Sequence, residues 1–312
     1  MDLNSQTFAN TEFVANLSKG LICLDNSTFQ KLACPRQFIY AGVLKQVPNT
    51  SRSPLVYGGA VHKALETYYL EGSNSKQDYI NDLIDKVVAE YRIELDLCCD
   101  PKRNSQTLNA FLHSYFSWVR AFGEYLEPIT LPDGKLAVEV SFSLPLCELL
   151  LPLYGKVTVM WEGRLDLIAR DKRTGRVGVW DHKTTSMLGD TFIDQFTRST
   201  QFSGYLWAGQ QLSNIPDLDE VGINALCQKK ENEFKHFIFR RPNWNSNEFI
   251  EGVHNTLMQF FTCHSHCNRA ACTHKYGKCE FFDLCEMPPA TRLNNLLNSG
   301  LFKTSTWSPL ND

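Results

Sequence analysis

Two aspartates and a lysine carry the first chemistry legible in this chain. Asp166 closes the run GRLD, and Asp181 and Lys183 lie in VWDHKTT. Both runs read as strands, and residues i and i+2 of a strand point to the same face. Asp181 and Lys183 therefore share one side of a sheet. The turn DKRTG joins the two runs, so Asp166 can lie beside Asp181. Neighbouring carboxylates repel, and burial disfavours their ionisation. A divalent cation resolves that conflict, and hard oxygen ligands suit Mg2+ or Mn2+. Lys183 would then orient a water or hold charge that develops on a phosphate. The plainer alternative is a surface Asp181–Lys183 ion pair with Asp166 capping a turn, and D-x-K alone does not separate the two.

Further polar residues fall where they can join this group. His62 follows Gly58-Gly59 on the first turn of a helix. Gln201 and Tyr205 sit at i and i+4, on one face of a later helix. Each has an ordinary reading as well, a packed helical histidine and an amphipathic pair.

Cysteine usage is the second unusual feature. The chain has 11 cysteines, an odd number, and its polar N-terminus (MDLNSQTFANTEF) predicts no signal peptide. A disulfide framework is therefore not expected, and reduced thiols are available as metal ligands. Cys23, Cys98, Cys99, Cys147 and Cys227 read as small buried apolar residues. Cys272, Cys279 and Cys285 are separated by six and then five residues, unlike the short pairs of common zinc ribbons. Three grouped cysteines with a distant fourth can satisfy a tetrahedral or a cubane site, and Cys34 in LACPRQFIY is the natural fourth. A rival zinc set draws on Cys263, His264, His266, Cys267 and His274, with Cys272 or Cys279. In a third reading Cys263 and Cys267 simply end a helix.

These residues need a scaffold. Residues 1–57 look irregular, with a short helix over Ser27–Tyr40. GGAVHKALETYYL reads as a helix entered through a Gly-Gly turn. Asn81–Leu97 and Thr107–Tyr125 continue the helical pattern. Three strands follow, KLAVEVSFSLPL, KVTVMWEGRLDLIAR and RVGVWDHKTT, plausible as an antiparallel meander. A helix over DTFIDQFTRSTQFSGYLWAGQQL comes next, then strands VGINALCQK and FKHFIFRR. SNEFIEGVHNTLMQFFTCH closes the pattern as a long helix. The order predicts a mixed α/β fold around one sheet. In 312 residues with 43% hydrophobic content, a core is easily built and disorder is excluded as the main state. No apolar run is long enough for a membrane helix. A formal charge of -3 excludes a wholly basic nucleic-acid coat but allows a local basic groove.

Taken together, GGAVHKALE, GRLDLI, WDHKTT and QFSGYLWA resemble, in order and spacing, the motifs of the PD-(D/E)xK nuclease superfamily, in its RecB-like, CRISPR-adaptation-like exonuclease branch. The resemblance runs from about residue 34 to 286. It implies an α/β restriction-endonuclease-like core, a mixed central sheet flanked by helices, with an N-terminal helical region. It implies that His62, Asp166 and Asp181 bind Mg2+ or Mn2+ together with the main-chain carbonyl of His182. Lys183 becomes the catalytic lysine, and Gln201 and Tyr205 position it or the substrate. Glu139 falls where such nucleases often carry a glutamate. Asp181 is a departure, since Glu is common at that position, and it shifts the metal geometry slightly. One subgroup of the branch holds a [4Fe-4S] cluster on one cysteine before the core and three after it. CPRQFIY and YGKCEFFDLC resemble its flanks, which assigns Cys34, Cys272, Cys279 and Cys285 to a structural staple.

The expected organisation is an N-terminal segment over 1–57, a nuclease core over 58–262 with a helical insertion at about 77–127, and a cysteine-bearing tail over 263–312. The expected activity is metal-dependent hydrolysis of DNA, on single strands or ends, in the cytoplasm. Arg36, Lys63, Arg198 and Arg240 are candidates for phosphate contacts. Tyr57, Phe202 and Trp207 could stack on bases or pack in the core. No G-x-x-x-x-G-K-[ST] loop occurs, so no fused motor of that kind is expected. A homo-oligomer stays open. The alternatives are a non-catalytic DNA-binding subunit of the same fold and a zinc scaffold that binds protein or RNA.

Overall fold

The computed structural model describes residues 8, 10–50, 53–74, 76–123, 125–262, 267–274 and 277–310. Its elements run, in chain order, α1 (Glu12–Ser18), β1 (Leu21–Asp25), α2 (Ser53–Leu70), α3 (Gln77–Leu97) and α4 (Ser105–Phe122). Strands β2 (Leu126–Pro128), β3 (Val138–Leu151), β4 (Gly155–Asp171) and β5 (Val177–Thr185) follow. Then come α5 (Asp190–Thr197), α6 (Thr200–Ser213), β6 (Glu220–Cys227), β7 (Glu233–Arg240), α7 (Trp244–Thr262) and α8 (Pro289–Asn298). The chain divides into two compact units, 51–140 with 164–246, and 1–50 with 141–163 and 247–312.

The unit formed by 51–140 and 164–246 is a mixed sheet between helices. The second half of β4 pairs antiparallel with β5 through Ala169↔Gly178 and Leu167↔Trp180. Strand β5 pairs parallel with β6, from Gly178↔Glu220 to Thr185↔Cys227. Strand β7 returns antiparallel along β6. A parallel neighbour needs a crossover, and α5 and α6 supply it. The single helix expected there breaks at Arg198, and the Ser199 side chain caps the second piece. Every residue of β6 is buried, as befits a strand covered on both faces.

One sheet face carries Leu167, Ala169, Trp180 and Leu226, which cluster with Tyr57, Val61, Leu65 and Tyr68 of α2 and with apolar residues of α3 and α4. The Asn104–Thr107 capping box starts α4 and fixes its entry. The Gly-Gly pair expected as a turn lies inside α2 instead. The reason is proximity: a Cβ on Gly58 would stand 3.3 Å from the Thr184 hydroxyl of β5, so the helix can lie close against the strand. Gly222 serves the same sheet, because a Cβ there would fall 2.2 Å from the Trp180 ring. The opposite face, with Ile168 and Val179, meets α6 through Gly209.

In the other unit β1 pairs parallel with the first half of β4, from Leu21↔Thr158 to Asp25↔Glu162. Its N-terminal part was expected to be irregular. It instead holds α1, β1, short helices at Asn26–Gln30 and Pro35–Phe38, and a strand at Gln46–Pro48 that pairs with Phe302–Thr304. The short helix expected over Ser27–Tyr40 is thus split into turns, since Cys34 adopts an extended conformation before Pro35. Aromatic edges knit the unit, with Phe38 against Phe260, Trp161 against Phe249 and Tyr40 against Phe281.

Candidate active site

Strand β5 sorts its side chains by alternation. Trp180 and His182 face the helical core, and Asp181 and Lys183 face α6. Pairing with β4 ends at Leu167↔Trp180, and Asp166 and Asp181 follow at once on their strands. Both are buried, Asp166 at 7% and Asp181 at 1% exposure.

His182 organises the site through its backbone. Its N–H donates to Asp166 Oδ2 at 2.7 Å, and its carbonyl lies 2.8 Å from His62 Nε2. A carbonyl only accepts, so Nε2 of His62 carries the proton and Nδ1 is left facing the carboxylates. Nδ1 lies 3.4 Å from Asp166 and 3.8 Å from Glu139. His62, Glu139 and Asp166 offer ligand atoms within 4.8 Å of one another. Glu139 is held at φ +47, in the left-handed region, which costs an L-residue about 1–3 kcal/mol.

Asp181 is turned elsewhere. Lys183 Nζ lies 2.9 Å from its Oδ1 and 2.7 Å from its Oδ2. Gln201 Nε2 lies 3.4 Å from Asp181 Oδ1 and donates to the Tyr205 hydroxyl at 3.1 Å. The structure thus brings His62, Asp166, Asp181, the His182 backbone, Lys183, Gln201 and Tyr205 to one place, with Glu139 beside His62 and Asp166 in a candidate cation site.

Behind the strand a buried polar chain steadies His182. Asn224 on β6 donates from Nδ2 to His182 Nδ1 at 3.2 Å and to the Tyr115 hydroxyl at 2.9 Å. Its Oδ1 accepts from His236 Nε2 at 3.1 Å, and the Tyr125 hydroxyl bonds His236 Nδ1. Tyr69 stacks on the His182 ring. Sequence reasoning missed this chain, because an asparagine in a buried strand is visible but its partners come from α4 and β7.

The electrostatics suit a cation. Burial raises the Asp166 carboxyl, with Glu139 adding to the effect. Burial raises Asp181 to about 6 despite Lys183. For His62, burial pulls down, but Asp166, Glu139 and Asp181 overcome it and hold the imidazole up at about 9. Its side chain keeps 31% exposure, which softens the effect. Burial lowers His182 well below its ordinary value, so that ring is neutral. Oxygen donors and one imidazole nitrogen, converging with uncompensated charge, fit Mg2+ or Mn2+.

The sign of the pH effect follows. Below pH 6.5 the raised His62 contributes stability in full, and this is lost as pH climbs through about 9. The raised Asp181 contributes below its unfolded value of 3.8, and this is lost through about 6. A cation that replaces the Nδ1 proton gains as pH rises. Thermal unfolding with and without Mn2+ should therefore show a larger upward shift at pH 8.5 than at pH 6, and equal shifts would contradict the arrangement.

The expected phosphate and base contacts divide. Tyr57 and Phe202 are core residues at 2% and 0% exposure, and Trp207 is buried too. Lys63 pairs with Glu66 at 2.8 Å, whereas Arg198 and Arg240 are exposed. Arg36 lies in the other unit and hydrogen-bonds Cys285.

That unit gathers the thiols. Cys34 is buried, and its Sγ accepts from the Asn268 N–H at 3.4 Å. Cys279 N–H donates to the Cys272 carbonyl at 2.8 Å, and Cys285 follows on the turn Phe282–Glu286. Cys34 and Cys279 lie within electrostatic reach of Cys272, and Cys34 and Cys285 lie within reach of Cys279. Burial raises Cys272 to about 11, with Cys267 contributing, and burial raises Cys279 and Cys285. Clustered thiols that resist ionisation fit a soft metal centre, whose charge would hold them as thiolates. Cys263, His264 and His266 of the rival set lie outside the described residues, as does the His274 side chain. The helix-end reading turns on residues 263–266, outside the described ones; Cys267 itself is not helical, and its Sγ lies 4.0 Å from Cys272 Sγ. Among the cysteines expected to be buried, Cys227 is, Cys23, Cys98 and Cys147 are half-buried, and Cys99 is exposed in a turn at φ +51.

The strand pair that brings two aspartates and a lysine beside a helical histidine is a candidate site for a hard cation. The chain belongs to the PD-(D/E)XK nuclease superfamily, whose model matches residues 28–286. Among solved structures it is similar to a protein of Eubacterium rectale named "Putative exonuclease", at 13% identity and a TM-score of 0.49, covering 94% of this chain and 98% of that one. No curated protein matches the chain. Among the described residues no helix is long and apolar enough to cross a membrane.

Proposed function

We infer that the chain is a cation-dependent deoxyribonuclease of the RecB-like branch, which removes nucleotides from DNA ends or single strands. The observation that carries this reading is the meeting of Asp166, Asp181 and Lys183 with His62 at the ends of β4 and β5. His62, Glu139 and Asp166, with Asp181 and the His182 carbonyl, would hold Mg2+ or Mn2+. When bound, the cation supplies charge neutralisation at the scissile phosphate and acidifies water. Lys183, anchored on Asp181, orients the attacking water and holds charge on the phosphate oxygens. Gln201 restrains Asp181 and Tyr205, which keeps the ammonium in place. Water adds to phosphorus, the bond to the leaving sugar oxygen breaks, and that oxygen takes a proton.

In the same reading Cys34, Cys272, Cys279 and Cys285 hold a structural [4Fe-4S] cluster that ties the segment over 1–57 to the tail over 263–312. A reducing cytoplasm suits such thiols. The test uses anaerobically purified chain with DNA labelled at the 5′ or 3′ end, single- or double-stranded. Stepwise loss from ends in Mn2+ or Mg2+, stopped by chelator, is expected. No cleavage of any substrate with either cation would overturn the reading.

A further inference from the structure

The thiol pocket holds more sulfur than a four-cysteine centre uses. Cys34, Cys272, Cys279 and Cys285 account for one cubane, at one thiolate per iron. Cys267 is a fifth. Its Sγ lies 4.0 Å from that of Cys272, and it lies within electrostatic reach of Cys285, Arg36 and Tyr40. Its neighbour Asn268 binds the pocket twice, from N–H to Cys34 Sγ at 3.4 Å and from Nδ2 to the Ala33 carbonyl at 2.8 Å. Cys267 is therefore fastened beside the centre.

The sulfur separation says what it can do there. Thiolates on different irons of a cubane occupy separate corners and lie well over 4 Å apart, whereas Cys267 and Cys272 are in sulfur–sulfur contact at 4.0 Å. Either one, but not both at once, can therefore fill the single thiolate position of one iron. Both reach it from one short segment, and Cys272 Sγ also bonds the Asn268 carbonyl, 3.8 Å away.

We propose that Cys267 is an exchange ligand, able to take the place of Cys272 on one iron of the cluster. The proposal rests on the cluster reading above. Exchange is a ligand substitution with no redox change: one Fe–S(thiolate) bond forms, one breaks, and the proton of the entering thiol passes to the leaving sulfur. The pocket then keeps its cluster when one of the two sulfurs is oxidised or lost.

The test compares iron and acid-labile sulfide per chain, and the absorption near 400 nm, in anaerobically purified wild type, Cys267→Ala, Cys272→Ala, the double variant and Cys285→Ala. Circular dichroism reports folding. Cys267→Ala should match wild type, and Cys272→Ala should keep at least about half the iron, with an altered visible spectrum. The double variant and Cys285→Ala should fall by about tenfold or more. Iron as low in Cys272→Ala as in Cys285→Ala would overturn exchange while the cluster reading stood. If wild type carries zinc instead of iron, the cluster reading fails, and zinc content in the same series judges exchange. A chain that carries neither metal overturns both. If the double variant does not fold, the two single variants decide.

Discussion

Asp181→Asn should abolish DNA cleavage, by about 10^3-fold or more, without lowering the melting temperature of the metal-free chain. The two effects separate because the carboxylate is well placed and costly. It is 1% exposed, and burial and Asp166 raise it to about 6. At pH 8 the folded chain must keep it ionised against that resistance, whereas the unfolded chain ionises it freely. An amide of the same shape removes the penalty and the repulsion from Asp166. It also removes the anchor of Lys183, whose ammonium lies 2.7 Å from Oδ2. Lys183→Ala should lose activity on the same scale. Its stability should fall, however, because a buried carboxylate is left without its partner. Cleavage within tenfold of wild type in Asp181→Asn, measured on end-labelled DNA with Mn2+, would defeat the assignment.

If Cys34, Cys272, Cys279 and Cys285 hold the proposed cluster, Cys279→Ala should cost the chain its iron and much of the stability of the unit that carries these cysteines. Cys279 bridges the segment, since its N–H binds the Cys272 carbonyl and its own carbonyl accepts from Phe282 N–H at 2.9 Å. Lys31 and Glu280 pair at 2.5 Å across 249 positions of sequence, so the cysteines lie where N- and C-terminal parts of the chain meet. A metal bound only by the folded chain adds its binding free energy to folding. We expect about tenfold less iron and an unfolding transition lowered by roughly 5–10 °C. Unchanged iron and an unchanged transition would remove Cys279 from the centre.

The candidate site was legible because it is local. Strand alternation and one turn were enough to place Asp166, Asp181 and Lys183 on a common side, and helical spacing placed Gln201 with Tyr205. A mixed α/β fold around one sheet also followed from element order, whereas the parallel pairing of β5 with β6 did not. Other features depend on contacts distant in sequence. Glu139 sits at φ +47, which no strand pattern announces. Strand β1 is five residues, LICLD, with no alternation of polarity, and it forms by pairing with β4. Gly58 and Gly59 carry a turn signature, yet both lie inside α2, where Gly58 lets the helix pass close to Thr184 of β5. Cys267 was read with the helix before it, whereas its neighbour Asn268 ties it to Ala33 and Cys34.

The interleaving of strand β5 has a consequence for quality control in the cell. Trp180 and His182 belong to the aromatic core, and Asp181 and Lys183 to the polar face. Shifting the strand by one place would drive an ammonium into that core and expel an indole. A long-lived impostor, well folded but inert through mispairing, is thereby closed off. Errors in this strand therefore yield unstable chains that are open to proteases, not a folded, inert form.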